Sequence, residues 1–116
     1  MASDYNFPNH VKGDTFDGVL FTLTVNTVAL NLTGAVINMD LRLTKTGVSV
    51  ERFTSVADEH ITISATPTDG TFTFNEQIIS VDAGNYFYDI EIVFPDTTVK
   101  TYIAGRWNII QDVTYE

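Results

Sequence analysis

The sequence predicts an all-β domain folded as a two-sheet sandwich, and three observations lead there. Thr, Val, Ile, Phe and Tyr are abundant, whereas the helix formers Leu, Glu, Lys, Arg and Ala are scarce beside them. Apolar and polar residues alternate with a period of two in several segments, and no segment sustains a helical period. Turn residues punctuate these segments at short intervals, as a chain of hairpins requires.

Residues 1–12 read as an extended, mobile N-terminal arm, and residues 13–116 as the sandwich domain. In the arm, Phe7 and Val11 are suited to dock on the core, while Pro8 has no N–H to give a ladder and suits an edge. After Gly13-Asp14 a strand over 16–25 sets Val19, Phe21, Leu23 and Val25 on one face and Leu20, Thr22 and Thr24 on the other. Asn26-Thr27 turns the chain, and 28–32 is a short apolar piece. Beyond Thr33-Gly34, Ile37, Met39, Leu41 and Leu43 point inward, while Asn38, Asp40, Arg42 and Thr44 point outward onto a wet side.

Lys45-Thr46-Gly47 supplies a hairpin turn, with Gly47 free to take positive φ. Weaker strands are expected near 48–55 and 61–64, with Asp58-Glu59-His60 on the loop between them. Pro67-Thr68-Asp69-Gly70 reverses the chain before Thr71–Phe74, where Phe72 and Phe74 share a face. Residues 77–83 are expected to form one short helical turn, with Ser80 and Asp82 at turn or cap positions. Gly84 then launches a strand whose Tyr86, Tyr88, Ile90, Ile92 and Phe94 face the core, while Phe87 and Val93 join Asp89 and Glu91 on the other side. Pro95-Asp96 turns the chain into segments 98–104 and 107–115, with a bulge or bend at Gly105. Seven or eight antiparallel strands of this kind point to a single immunoglobulin-like β-sandwich, with a small barrel as the alternative.

At 116 residues the chain has the length of one domain. Six Lys and Arg against fifteen Asp and Glu leave a formal charge of −9, which repels phosphate backbones and anionic lipid. Neither nucleic acid nor a membrane is therefore expected as a partner, and the acidity keeps a domain rich in strand edges soluble. Cysteine is absent, which removes disulfides, thiolate nucleophiles and cysteine metal sites and suits synthesis in a reducing cytoplasm. With no basic and apolar leader and no apolar run of about 20 residues, a soluble chain without an export address is expected. Asn31-Leu32-Thr33 matches a glycosylation acceptor and reads as part of a turn.

Candidate chemistry is sparse. Asp58-Glu59-His60 places three potential ligands in a row, but consecutive side chains diverge, whereas zinc gathers a tetrahedral set from separated positions. Asp14 with Asp17, or Asp82 with Asp89 and Glu91, could pair as acid and base, yet no cleft accompanies them. Gly-x-Ser-x-Gly and Gly-x-Gly do not occur, and neither His10 nor His60 has a marked partner for nucleophilic catalysis. No catalytic residue, cofactor or metal is expected. A carbohydrate-binding module would use exposed rings such as Tyr102, Trp107 and Tyr115 as its platform, whereas burial in the core is the commoner fate of aromatics in small sandwiches. Trp107, beside Arg106, is the first candidate for an exposed contact, and Phe7, Phe87, Arg106, Trp107 and Tyr115 form the candidate interface set.

Four segments together resemble small tailed-phage virion proteins: Gly13-Asp14-Thr15-Phe16, Leu32-Thr33-Gly34-Ala35, the run from Ala83 to Glu91, and Asp112-Val113-Thr114. The pattern is similar to the immunoglobulin-like sandwich of such proteins and of N-terminal domains of phage baseplate upper proteins, with Asn31 standing where that pattern has Asp. The resemblance implies a structural component of a virion, made in the bacterial host cytoplasm. Its partners would be capsid, tail or baseplate proteins, met as a homo-oligomer or in multiple copies on a symmetric assembly. With no fibre region after Tyr115, a receptor-binding tip is not expected.

Overall fold

The computed structural model describes residues 3–111, and over them the chain is an all-β domain. The strands are β1 (Ser3–Asp4), β2 (His10–Val11), β3 (Thr15–Phe16), β4 (Val19–Thr22), β5 (Thr24–Val25), β6 (Val28–Ala29) and β7 (Val36–Arg42). They continue with β8 (Glu51–Thr54), β9 (Ile61–Ile63), β10 (Thr71–Phe74), β11 (Gln77–Ile78), β12 (Gly84–Val93) and β13 (Val99–Ile110). A 3-10 turn occupies Pro67–Asp69, and Val56–Asp58 forms a tight turn in which Ala57 and Asp58 both take a φ of 55°.

The largest sheet is six-stranded, in the order β1-β13-β12-β7-β8, with β2 also on β13. Three smaller sheets accompany it: β4-β10-β9, and the two-stranded pairs β3-β11 and β5-β6. The sheets share a single core: Ile37, Met39 and Leu41 from β7, the alternate residues Tyr86, Tyr88, Ile90 and Ile92 from β12, and Phe21, Phe72, Phe74 and Ile61 from the β4-β10-β9 sheet. The period-two pattern of β12 is followed residue by residue, since burial alternates along its whole length. Phe94, expected in the core, is half-buried just past the strand end.

Five expectations change. The strand expected over 16–25 is three short pieces, broken at Gly18, where φ is 92° and a side chain would crowd the carbonyl oxygen of Phe74 at 3.1 Å. Residues 77–83 hold no helical turn; Gln77–Ile78 pairs with Thr15–Phe16 instead. The outward side of β7 is not wet, because Asn38 and Asp40 are 7% and 1% exposed, whereas Leu43 is 57% exposed. The bulge in the last strand falls at Tyr102 rather than Gly105: Ile90 pairs with Ile103 and Glu91 with Thr101, leaving Tyr102 as the extra residue.

The last change concerns the arm. It is strapped along β13 in parallel, with Ser3 beside Ile103 and His10 beside Ile109, so the strands are not all antiparallel. Between those pairings the amides of Tyr5 and Phe7 donate to the carbonyls of Ala104 and Arg106, each at 3.0 Å. Phe7 enters the core and stacks on Trp107, with centroids 4.6 Å apart. Burying one such ring is worth about 1.5–3 kcal/mol, enough to hold a short arm in place.

Candidate functional site

The outward residues of β12 carry the chemistry, and strand register places their neighbours. Phe87 lies directly between Arg42 on β7 and Arg106 on β13, forming a row of cation, ring and cation across the sheet. The next row sets Asp89 beside Asp40, a like-charge pairing that destabilises unless cations intervene. Arg42 intervenes: its Nη1 lies 3.2 Å from both carboxylate oxygens of Asp89, and its Nη2 is 3.4 Å from Asp40.

Arg52 completes the network from the edge strand β8. Its Nε and Nη2 donate to the two oxygens of Asp40 at 2.7 and 2.8 Å, and Nη2 stands 3.7 Å from Glu91. This fork satisfies the buried carboxylate and holds its pKa below the ordinary carboxylate value, outweighing the opposite effect of burial. The Ser49 hydroxyl adds a donor at 3.2 Å. Long side chains from neighbouring strands thus cover the face that alternation alone assigns to water.

Above Phe87 the situation differs. The Arg106 guanidinium sits 4.8 Å from the ring centroid, and the Lys45 ammonium 5.7 Å. Among the described residues neither cation has a carboxylate within 4.0 Å, whereas Lys12, Arg42 and Arg52 each do. A groove of about 640 Å³ opens here between the arm and the sheet, lined by Asp4, Asn6, Arg42, Phe87, Asp89 and Arg106 among others.

The candidate interface residues therefore separate. Phe87 and Arg106 come together at the groove. Phe7 and Trp107 are 5% and 0% exposed and pack on each other, so neither offers a surface contact on this chain. Tyr115 lies outside the described residues. With Trp107 buried and Tyr102 half-buried, the alternative reading of an aromatic platform for a sugar loses its central ring, and the rings follow the commoner fate of burial. Both histidines are engaged in local structure: His10 Nε2 is 2.9 Å from the Asp14 carbonyl, and His60 Nδ1 accepts the Thr54 amide at 3.2 Å. No group of three or more His, Cys, Asp or Glu side chains arranged to hold a metal ion occurs among the described residues.

Lys45, Arg42, Asp89 and Asn6 belong to the site and were not singled out for it from the sequence. The signal that finds them is the Phe87 row, which depends on register and so on the paired strands. No family model matches the chain, and no curated protein sequence matches it.

Proposed function

We propose that the chain is a non-enzymatic structural protein of a tailed-phage virion. It docks in multiple copies on the head, as a decoration or head-fibre attachment protein, or on the tail or baseplate as an adaptor. The observation that carries this reading is the outer sheet face, where Arg106 and Lys45 lie over a partly exposed Phe87 beside an open groove. A ring capped by cations on a rigid sheet offers stacking and ionic contacts, the chemistry of docking. The four segments that resemble virion proteins give the reading its biological context.

The finer architecture we infer is an immunoglobulin-like sandwich. In support, β7-β8 and β12-β13 are hairpins of one sheet, β9-β10 is a hairpin of the other, and the chain changes layer between them. Copies arrayed on a symmetric shell or tube would convert a modest contact into stable occupancy through avidity. Co-sedimentation tests the function: purified protein is mixed with particles that lack it and pelleted. Recovery with heads or tails is expected, and a protein that stays in the supernatant with both would refute a virion role.

A further inference from the structure

We propose that Arg106, Phe87 and Lys45 form a carboxylate-binding site whose occupant is an acidic side chain on an extended segment of the docking partner. The site rests on geometry alone; only the source of the carboxylate rests on the docking function proposed above. Arg106 carries a planar fork of N–H donors, and among the described residues its guanidinium has no acceptor. Its contact with the Phe87 ring, 4.8 Å from the centroid, restrains the guanidinium before any ligand arrives, which reduces the ordering cost of binding. Asn6 adds a donor: its Oδ1 accepts the Arg106 amide at 3.0 Å, leaving the side-chain NH2 at the groove.

Charge selects the ligand. Arg42, Lys45 and Arg106 face Asp4 and Asp89 in the groove lining, so three positive charges against two negative leave one net positive charge. A single carboxylate matches it; a phosphate dianion exceeds it. Asp89 is already held by Arg42, which leaves Arg106 and Lys45 as the receptive cations. On a chain of net charge −9 an acidic partner is repelled over most of the surface, so this groove sets both position and register of the encounter.

The test is an NMR titration of the full chain with three probes at constant ionic strength: capped hexaglutamate, acetate and inorganic phosphate. Hexaglutamate and acetate are expected to shift the Arg106 Nε–H and the Phe87 ring saturably, hexaglutamate more tightly, and phosphate more weakly than either. Arg106→Ala should weaken hexaglutamate about tenfold or more, the loss expected for a charge-assisted hydrogen bond. Arg106→Lys should recover part of that loss and Lys45→Ala should weaken binding less, while Asp4→Asn should tighten it. Lys100→Ala, which removes an exposed cation outside the groove lining, should change nothing. Absence of a saturable shift at Arg106, equal shifts at Lys100, or phosphate binding as tight as carboxylate would overturn the proposal. No particle enters this titration, so its failure leaves the co-sedimentation result standing, and the reverse also holds.

Discussion

Gly105 in β13 lies so close to Tyr5 in the N-terminal arm that a Cβ on residue 105 would overlap the Tyr5 carbonyl oxygen. The same oxygen accepts the hydroxyl of Tyr88 from the core face of β12. One glycine and one phenol thus fasten the arm to the sheet edge. The arm in turn supplies Asp4 and Asn6 to the groove beside Phe87.

Gly105→Ala is expected to push the arm off β13 and to destabilise the domain by about 1–3 kcal/mol, the usual cost of overpacking. Urea denaturation gives the magnitude. Amide exchange at Tyr5 and Phe7 gives the location, since both amides donate to β13 carbonyls in the wild type. Unchanged protection at those amides would contradict the strap.

Phe7→Ala should cost about 3–5 kcal/mol, as ring deletions in cores do. Trp107 is the chain's one tryptophan and stacks on Phe7, so its fluorescence reports the same event. A red shift on mutation is expected, because the emptied slot admits water beside the indole. Emission that stays at the wild-type wavelength would mean that the arm does not seal this part of the core.

Asp40 predicts the acid behaviour. Its carboxyl is depressed below 3.8 in the folded chain, chiefly by the Arg52 fork. The stabilisation is therefore present above that value and is lost as pH falls through the lower, folded value. Asp40→Asn should lower stability at pH 7 by about 1–2 kcal/mol, at the modest end because the Arg52 side chain is half-exposed. The variant should also lose stability less steeply on acidification than the wild type. Parallel acid limbs in urea titrations of the two proteins would mean that Asp40 does not govern the loss of stability in acid.

Tyr88 predicts the alkaline behaviour. Burial raises its phenol above the ordinary value of 10.0, so its contribution is complete below that pH and is lost as pH climbs toward the folded value. Ultraviolet titration of wild type and Tyr88→Phe should superimpose up to about pH 11, because burial holds the Tyr88 phenol above the range in which an ordinary tyrosine ionises. A missing step near pH 10 in the variant would show an accessible Tyr88.

The central strand was legible because its signal is local: each of Tyr86, Tyr88, Ile90 and Ile92 is placed by the pleat alone. Asp40 misled because its burial comes from Arg52 and Arg42, whose positions depend on register across two strand pairs. Gly105 signalled a departure from an ordinary strand, but its cause is the approach of Tyr5, a hundred residues away in sequence, which no local pattern encodes. Trp107 beside Arg106 had the composition of an interface anchor, yet the pleat sends adjacent residues to opposite faces. Arg106 therefore reached the groove and Trp107 the core. Phe87 stood out as an apolar residue among acids, and its partners became visible only with the sheet assembled.

A cryo-EM reconstruction, at side-chain resolution, of a phage particle that carries the protein tests the proposed docking role most directly. The proposed role predicts repeated copies of this domain on the head, tail or baseplate, each with the Phe87–Arg106 face against a neighbouring protein and an acidic side chain at Arg106. A particle that contains no copy of the domain, or copies whose Phe87–Arg106 face is bare to solvent, would contradict it.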